Sequence, residues 1–116
     1  MNSGKITVFV TASSTEEARS IARGVLEKRL AACANILSGV ESHYWWDGAL
    51  QTEKEVMIIM KTVSGLFNEL EAEVRRLHSY DVPEIIALPV SEGSPPYLGW
   101  IEEETSLIPG KEDTDR

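Results

Sequence analysis

Cysteine is nearly missing from this chain. Cys33 stands alone, so no intramolecular disulfide can form, which fits a reducing compartment, and a cytoplasmic location is expected. With no Cys-x-x-Cys pair, a thiolate metal-transfer loop is excluded as well. Positive charge is also scarce: 11 Lys and Arg face 19 Asp and Glu, a net charge of −8. No basic stripe could track phosphates, and nucleic acid is not an expected partner. No apolar run approaches the roughly 20 residues that cross a bilayer. The opening "MNSGKITVFVTASS" lacks the basic start, apolar run and cleavage site of a secretory signal, so no membrane partner is expected.

The 116 residues, 42% hydrophobic and 26% charged, suit one domain with one core, expected over about 5–108, followed by a polar, mobile tail at 109–116. Lys5 to Ala12, "KITVFVTA", is β-branched and stops at a Ser-Ser pair, which predicts a strand. Ser14 and Glu17 have the spacing of a capping box, in which each side chain satisfies an orphan backbone N–H. Ala18, Ile21, Ala22, Val25 and Leu26 then share a helical face, and the helix is predicted to run to about Ala32. A strand follows from Cys33. Asp47-Gly48 predicts a tight type I′ hairpin turn, and the strands flanking it are far longer than usual. The hairpin should therefore project, carrying Tyr44, Trp45 and Trp46 at its tip.

A second helix is predicted from Ser64, with Leu66, Leu70, Val74 and Leu77 facing inward and Phe67 beside them. It closes at "HSYDVPE", residues 78–84, where Pro83 withholds a backbone donor and makes Val82 extended. "EIIALPV" is the fourth strand, with Pro89 marking an edge. Ser94-Pro95-Pro96 opens a short last helix whose Tyr97, Trp100, Ile101 and Ile108 share a side. The order β-α-β-β-α-β plus a terminal helix predicts an α+β, ferredoxin-like sandwich with both principal helices on one sheet face. "VMIIM" at 56–60 is apolar at five consecutive positions, so both sheet faces should be covered, the second by another copy of the chain.

This fold serves many functions, so the residues must discriminate. There is no aromatic, basic strand of the RNA-binding kind and no cationic phosphate loop, although the helix start after "TASST" could hold an anion weakly. No nucleophile has a supported base beside it, so no enzymatic activity is expected. Cys33 reads as a small apolar residue at a buried strand start, and His43 as a surface or packing residue. His78 leaves a helix C-terminus, where the dipole favours a charged imidazole, and Tyr80, Asp81 and Glu84 follow within one loop. A histidine with carboxylates suits a divalent transition ion, but one histidine is only part of a site. The plain alternative is a helix stop whose polar residues satisfy the last carbonyls.

"VTA", "EKRLAACANI", "SHYWWDG", Lys61-Thr62, "HSYDVPEIIALPV" and "YLGW" together resemble the CutA family of divalent-cation tolerance proteins, over about residues 5–104. The resemblance implies a ferredoxin-like homotrimer with architectural kinship to the PII signalling proteins, and a role in divalent ion tolerance, a response to metal ion. It implies no required cofactor, with copper(II) or zinc(II) as ions that could bind. The expected partners are further copies of the chain and divalent ions or a small anionic ligand at a cleft between subunits. The rival readings are a PII-like effector-binding regulator and a structural or adaptor trimer for a partner protein. His78, Tyr80, Pro83 and Glu84 match the family's His-Pro-Tyr-x-x-Pro-Glu segment, while Ser79 stands where that segment has proline, which loosens the turn. The positions that correspond to the cysteine and second histidine of some copper-binding relatives are Val10 and Leu77. His78 and, more remotely, Cys33 are the metal-ligand candidates. Tyr80, Glu84 and Lys61 are candidates near the cleft, with Trp46 and Trp100 as apolar walls. Lys61 reads equally as a solvated lysine, and both tryptophans read first as packing and subunit-interface residues.

Overall fold

The computed structural model describes residues 3–107. Ile108 and the tail lie outside them. Strand β1 (Lys5–Ala12) leads into helix α1 (Thr15–Glu27), then β2 (Cys33–Trp46) and β3 (Ala49–Val63). A 3-10 turn (Ser64–Leu66) precedes α2 (Phe67–Leu77), followed by β4 (Ile85–Val90) and α3 (Pro95–Ser106). The sheet order is β2-β3-β1-β4 and every neighbouring pair is antiparallel. This is the expected ferredoxin-like α+β fold, with β4 on an edge, as Pro89 requires.

The core is built by period-two alternation in the strands meeting helical periodicity above them. Val8, Val10, Ile58 and Met60 point from the central strands toward Ile21 and Val25 of α1 and Leu70 and Val74 of α2, and all are fully buried. The two helices are joined on their polar side by Glu73 of α2, which accepts from Lys28 at 2.8 Å and from Arg76 at 2.7 Å.

Three features were not legible in the sequence. First, α1 ends at Glu27 rather than near Ala32. Arg29 takes a left-handed backbone (φ 59°), its N–H donates to Leu26 O, and Leu30 N–H donates to Val25 O. That pair of bonds is a Schellman closure, normally signalled by glycine. The turn drops Leu30 into the core, where its carbonyl accepts from the buried Thr62 hydroxyl at 2.7 Å. Second, the two sides of "VMIIM" differ in the single chain: Val56, Ile58 and Met60 are buried, while Met57 and Ile59 are half-buried on the opposite face, the one expected to meet another copy. There they continue a surface that includes exposed Leu37, Ile86 and Leu88. Helix α3 covers one end of that face, through Ile101, the Lys5–Glu102 ion pair (3.1 Å) and the approach of Tyr97 to Cys33.

Third, the long hairpin is not regular. Leu37 pairs with Met57, but the next pair is Val40 with Glu55, so Ser38 and Gly39 together oppose Val56. Gly39 has φ 82°, which a residue with a Cβ adopts at a cost. This bulge shifts the alternation by one. Cys33, Asn35 and Leu37 before it, and Ser42, Tyr44 and Trp46 after it, therefore lie on the face opposite α1 and α2, beside Glu53 and Glu55. The turn itself is as expected, with positive φ at both Asp47 (52°) and Gly48 (77°).

Candidate functional site

The loop after α2 crosses the end of β1 and packs against the base of the projecting hairpin. Its first residue, His78, has a side chain with no solvent exposure. Nε2 lies 2.7 Å from the carbonyl oxygen of Thr11, so it donates, and Nδ1 accepts from the Tyr80 N–H at 3.1 Å. Glu17 Oε2 lies 4.0 Å from Nδ1. His78 thus joins the loop to β1, and with these partners neither nitrogen has a lone pair to spare for a metal.

Glu17 completes the fixation. Its Oε1 accepts from the Ser13 N–H and hydroxyl, both at 2.9 Å, and its Oε2 accepts from the Ser79 N–H at 2.8 Å. Ser14 caps α1 as expected, accepting from the Glu17 N–H at 3.1 Å. The Glu17 carboxylate does not return to Ser14, however; it reaches past it to Ser13 and across to the loop. Desolvation by burial would raise its pKa, but the hydrogen bonds from Ser79 and Ser13 outweigh it and hold the carboxyl at about 2. Ser79 therefore does not simply loosen the turn, because its N–H makes a bond that proline could not.

So held, Tyr80 tilts over the His78 ring, with centroids 4.6 Å apart, and donates its hydroxyl to Glu55 Oε2 at 2.9 Å. Glu55 is buried. Burial, then the bond to Glu55, pushes the Tyr80 phenol well above its usual range. Burial, then the charge on Glu55, raises the Glu84 carboxyl. Desolvation and a hydrogen bond to Glu53 raise the Tyr44 phenol. Carboxylates are crowded here without resident cations. One cavity of about 460 Å³ lies between Tyr44, Trp46, Asp47, Glu53, Tyr80 and Asp81. A second, of about 430 Å³, lies between Thr11, Tyr44, Glu55, Tyr80 and Glu84. They share Tyr44, Tyr80 and Val82, so they form two halves of one trough.

The structure thus gathers Trp46, Tyr80 and Glu84 and puts the other candidates elsewhere. Lys61 pairs with Cys33 across β2 and β3, and its Nζ is 2.7 Å from Asn35 Oδ1. Cys33 Sγ lies 3.6 Å from Tyr97 Oη, and the Tyr97 ring lies 5.5 Å from Trp100. Cys33 is only partly buried, which corrects the expectation of a buried strand start. His43 is exposed as expected; it borders the second cavity, and its ring is bonded to Glu41 at 2.7 Å and Thr52 at 3.1 Å. Sequence reasoning missed Glu17, Tyr44, Glu53 and Glu55. A glycine inside a strand was the available signal, since it marks the bulge that puts the last three on one face. Among the described residues, no three His, Cys, Asp or Glu side chains converge where a metal ion could sit. A divalent metal bound by one chain alone does not fit.

Fold and site together define a ferredoxin-like α+β protein with an acidic, aromatic cleft at the foot of a projecting hairpin. The family model for the CutA1 divalent ion tolerance protein matches residues 6–104. The divalent-cation tolerance protein CutA of Thermus thermophilus is 45% identical over 98 residues, which are 84% of this chain and 95% of that protein. The chloroplastic Protein CutA 1 of Oryza sativa subsp. japonica is 43% identical over 86% of this chain, which spans 56% of the rice protein. The solved structure of the periplasmic divalent cation tolerance protein CutA from Archaeoglobus fulgidus superposes with a TM-score of 0.85 at 42% identity, covering 87% of this chain and 98% of that one. The chain belongs to the CutA1 divalent ion tolerance family.

Proposed function

We propose that this chain is a non-enzymatic homotrimer that serves divalent-cation tolerance by taking up its ligand at clefts between subunits. The observation that carries the reading is the trough around Tyr80, where the charge on Glu55 adds to burial in raising the Glu84 carboxyl and the charges on Glu53 and Glu55 act on the Tyr44 phenol. Such a set attracts cations, and since one chain does not complete a metal site, groups from a neighbouring copy are needed to finish it. The apolar sheet face bearing Leu37, Met57, Ile59, Ile86 and Leu88 favours the same assembly, because its burial supplies roughly 25 cal/mol per Å². An anionic effector is less well served, because Lys61 already holds Asn35. No helix among the described residues is long and apolar enough to cross a membrane. Cytoplasmic residence is part of the proposal and rests on the lone cysteine, whereas the relatives' names include chloroplastic and periplasmic proteins.

The test has two parts. Native mass should show three chains per particle. Copper(II) and zinc(II) calorimetry on metal-stripped protein, beside Glu84→Gln and His78→Ala, should give binding weakened at least tenfold by Glu84→Gln. Absence of binding to the intact trimer refutes direct uptake, and loss in His78→Ala with folding intact would make the histidine a ligand after rearrangement.

A further inference from the structure

The trough has features beyond the carboxylates that a metal ion would use. Its middle is aromatic, with Tyr44 and Tyr80 shared by both halves and Trp46 at one end, half-exposed. Its acids fall in both halves: Asp47, Glu53 and Asp81 line one, Glu55 and Glu84 the other. No Lys or Arg among the described residues lines either half. A compact divalent metal needs oxygens converging at about 2.0–2.6 Å, and these do not converge. An elongated cation with charges at both ends and a methylene chain between them needs the reverse arrangement. Its ammonium groups pair with carboxylates in both halves, and its chain and inner charges lie on ring faces, where cation–π attraction favours them. The volume, about 460 Å³ in one half, falls in the usual range of small-molecule sites, roughly 300–1,000 Å³.

We propose that the trough between the hairpin tip and the 78–84 loop binds a linear aliphatic di- or polyamine, with Asp47, Asp81 and Glu84 taking the terminal ammonium groups and Trp46 and Tyr44 the chain. The proposal uses the cleft of the preceding section but not its metal. The raised Glu84 carboxyl supports it independently, since a cation placed there removes the repulsion from Glu55.

The test is calorimetry of the intact protein with spermidine and with 1,4-diaminobutane, against butylamine and magnesium chloride at matched ionic strength. Binding should be micromolar to submillimolar for the polyamine, and at least tenfold weaker for the monoamine. Trp46→Leu keeps apolar bulk but removes the ring face and should weaken binding at least fivefold, and Asp81→Asn should do likewise. Native mass and far-UV circular dichroism check both variants. The inference is overturned by no binding at millimolar polyamine, by equal displacement with magnesium (simple counter-ion attraction to an acidic protein), or by unchanged binding in a folded Trp46→Leu variant. Copper or zinc uptake without polyamine binding overturns this inference and leaves the metal reading standing; the converse result does the opposite.

Discussion

Replacing Glu17 by glutamine is a sharp test of how the 78–84 loop is held. The carboxylate accepts three hydrogen bonds, from the Ser13 N–H, the Ser13 hydroxyl and the Ser79 N–H. Glutamine has one acceptor oxygen, so its NH₂ must face a donor, and either the turn before α1 or the loop after α2 loses its partner. The charge is lost too. A carboxyl held at about 2 against an ordinary 4.5 corresponds to roughly 3 kcal/mol if taken whole. Because the group is partly in contact with water, solvent screening reduces this to about 1–2 kcal/mol. The sign follows from the depressed value: the stabilisation is complete above about pH 4.5 and is lost as pH falls from there toward about 2. Urea unfolding at pH 7 should therefore show Glu17→Gln less stable than the parent by about 1–2 kcal/mol per chain, and by pH 3 the gap should shrink by about half. Ser79→Pro removes one of the same donors, so the double variant should lose less than the two single losses combined. A glutamine variant as stable as the parent at pH 7, or a gap that does not change between pH 7 and pH 3, refutes the reasoning.

Tyr80→Phe should cost about 1–3 kcal/mol by calorimetric unfolding, because it leaves the buried Glu55 without its donor; a neutral result would mean that water reaches Glu55. Gly24→Ala should destabilise α1 although alanine favours helix by about 1 kcal/mol, because the new Cβ would lie 2.5 Å from Leu77 Cδ1 and 3.0 Å from Glu73 Oε2. Trimming Leu77 to valine should then recover part of the loss, and a raised Tm for Gly24→Ala alone would contradict the close packing of α1 on α2. Gly39→Val should cost about 1–3 kcal/mol from its left-handed backbone alone, since nothing lies within 4 Å of the added carbon. Tryptophan fluorescence should report the accompanying change at Trp45 and Trp46.

Where one residue type dictates one local geometry, the sequence was a reliable guide. Lys5–Ala12 is a strand over its predicted span, and Asp47-Gly48 turns with the two positive φ angles its chemistry permits. The end of α1 was missed because its left-handed closing residue is Arg29, whose type gives no warning and which is anchored instead by Glu104 at 2.8 Å. The site was legible only at its loop. Tyr80 and Glu84 are close in sequence to His78 and stood out as a group, whereas Glu55 and Glu53 come to them across sheet register, and Glu17 from the start of another helix. The partners of His78 were not legible from its place at a helix end. Only the three-dimensional placement of the Thr11 carbonyl and the Tyr80 N–H reveals that both nitrogens are already occupied.

The bulge at Ser38-Gly39 and the turn at Asp47-Gly48 are parts of one parity. Below the bulge, partners such as Leu37 and Met57 are disposed symmetrically about a single residue, Asp47; above it, Trp46 and Ala49 are disposed about the Asp47–Gly48 bond. Only the second arrangement leaves an even-numbered loop, so the tight turn and the extra residue require each other in a chain of this length. Deleting Gly39 would restore a regular ladder with the same turn and the same facing, and so would spare the pairing. It would not spare direction. From bulge to tip the hairpin is a lever of roughly 25 Å at about 3.3 Å per residue, so each degree of bend removed there would swing the tryptophans by about 0.4 Å. Gly39 thus acts as the aiming point of the hairpin, and the cleft's width is set five to seven residues away from Tyr44 and Trp46, whose rings form its wall.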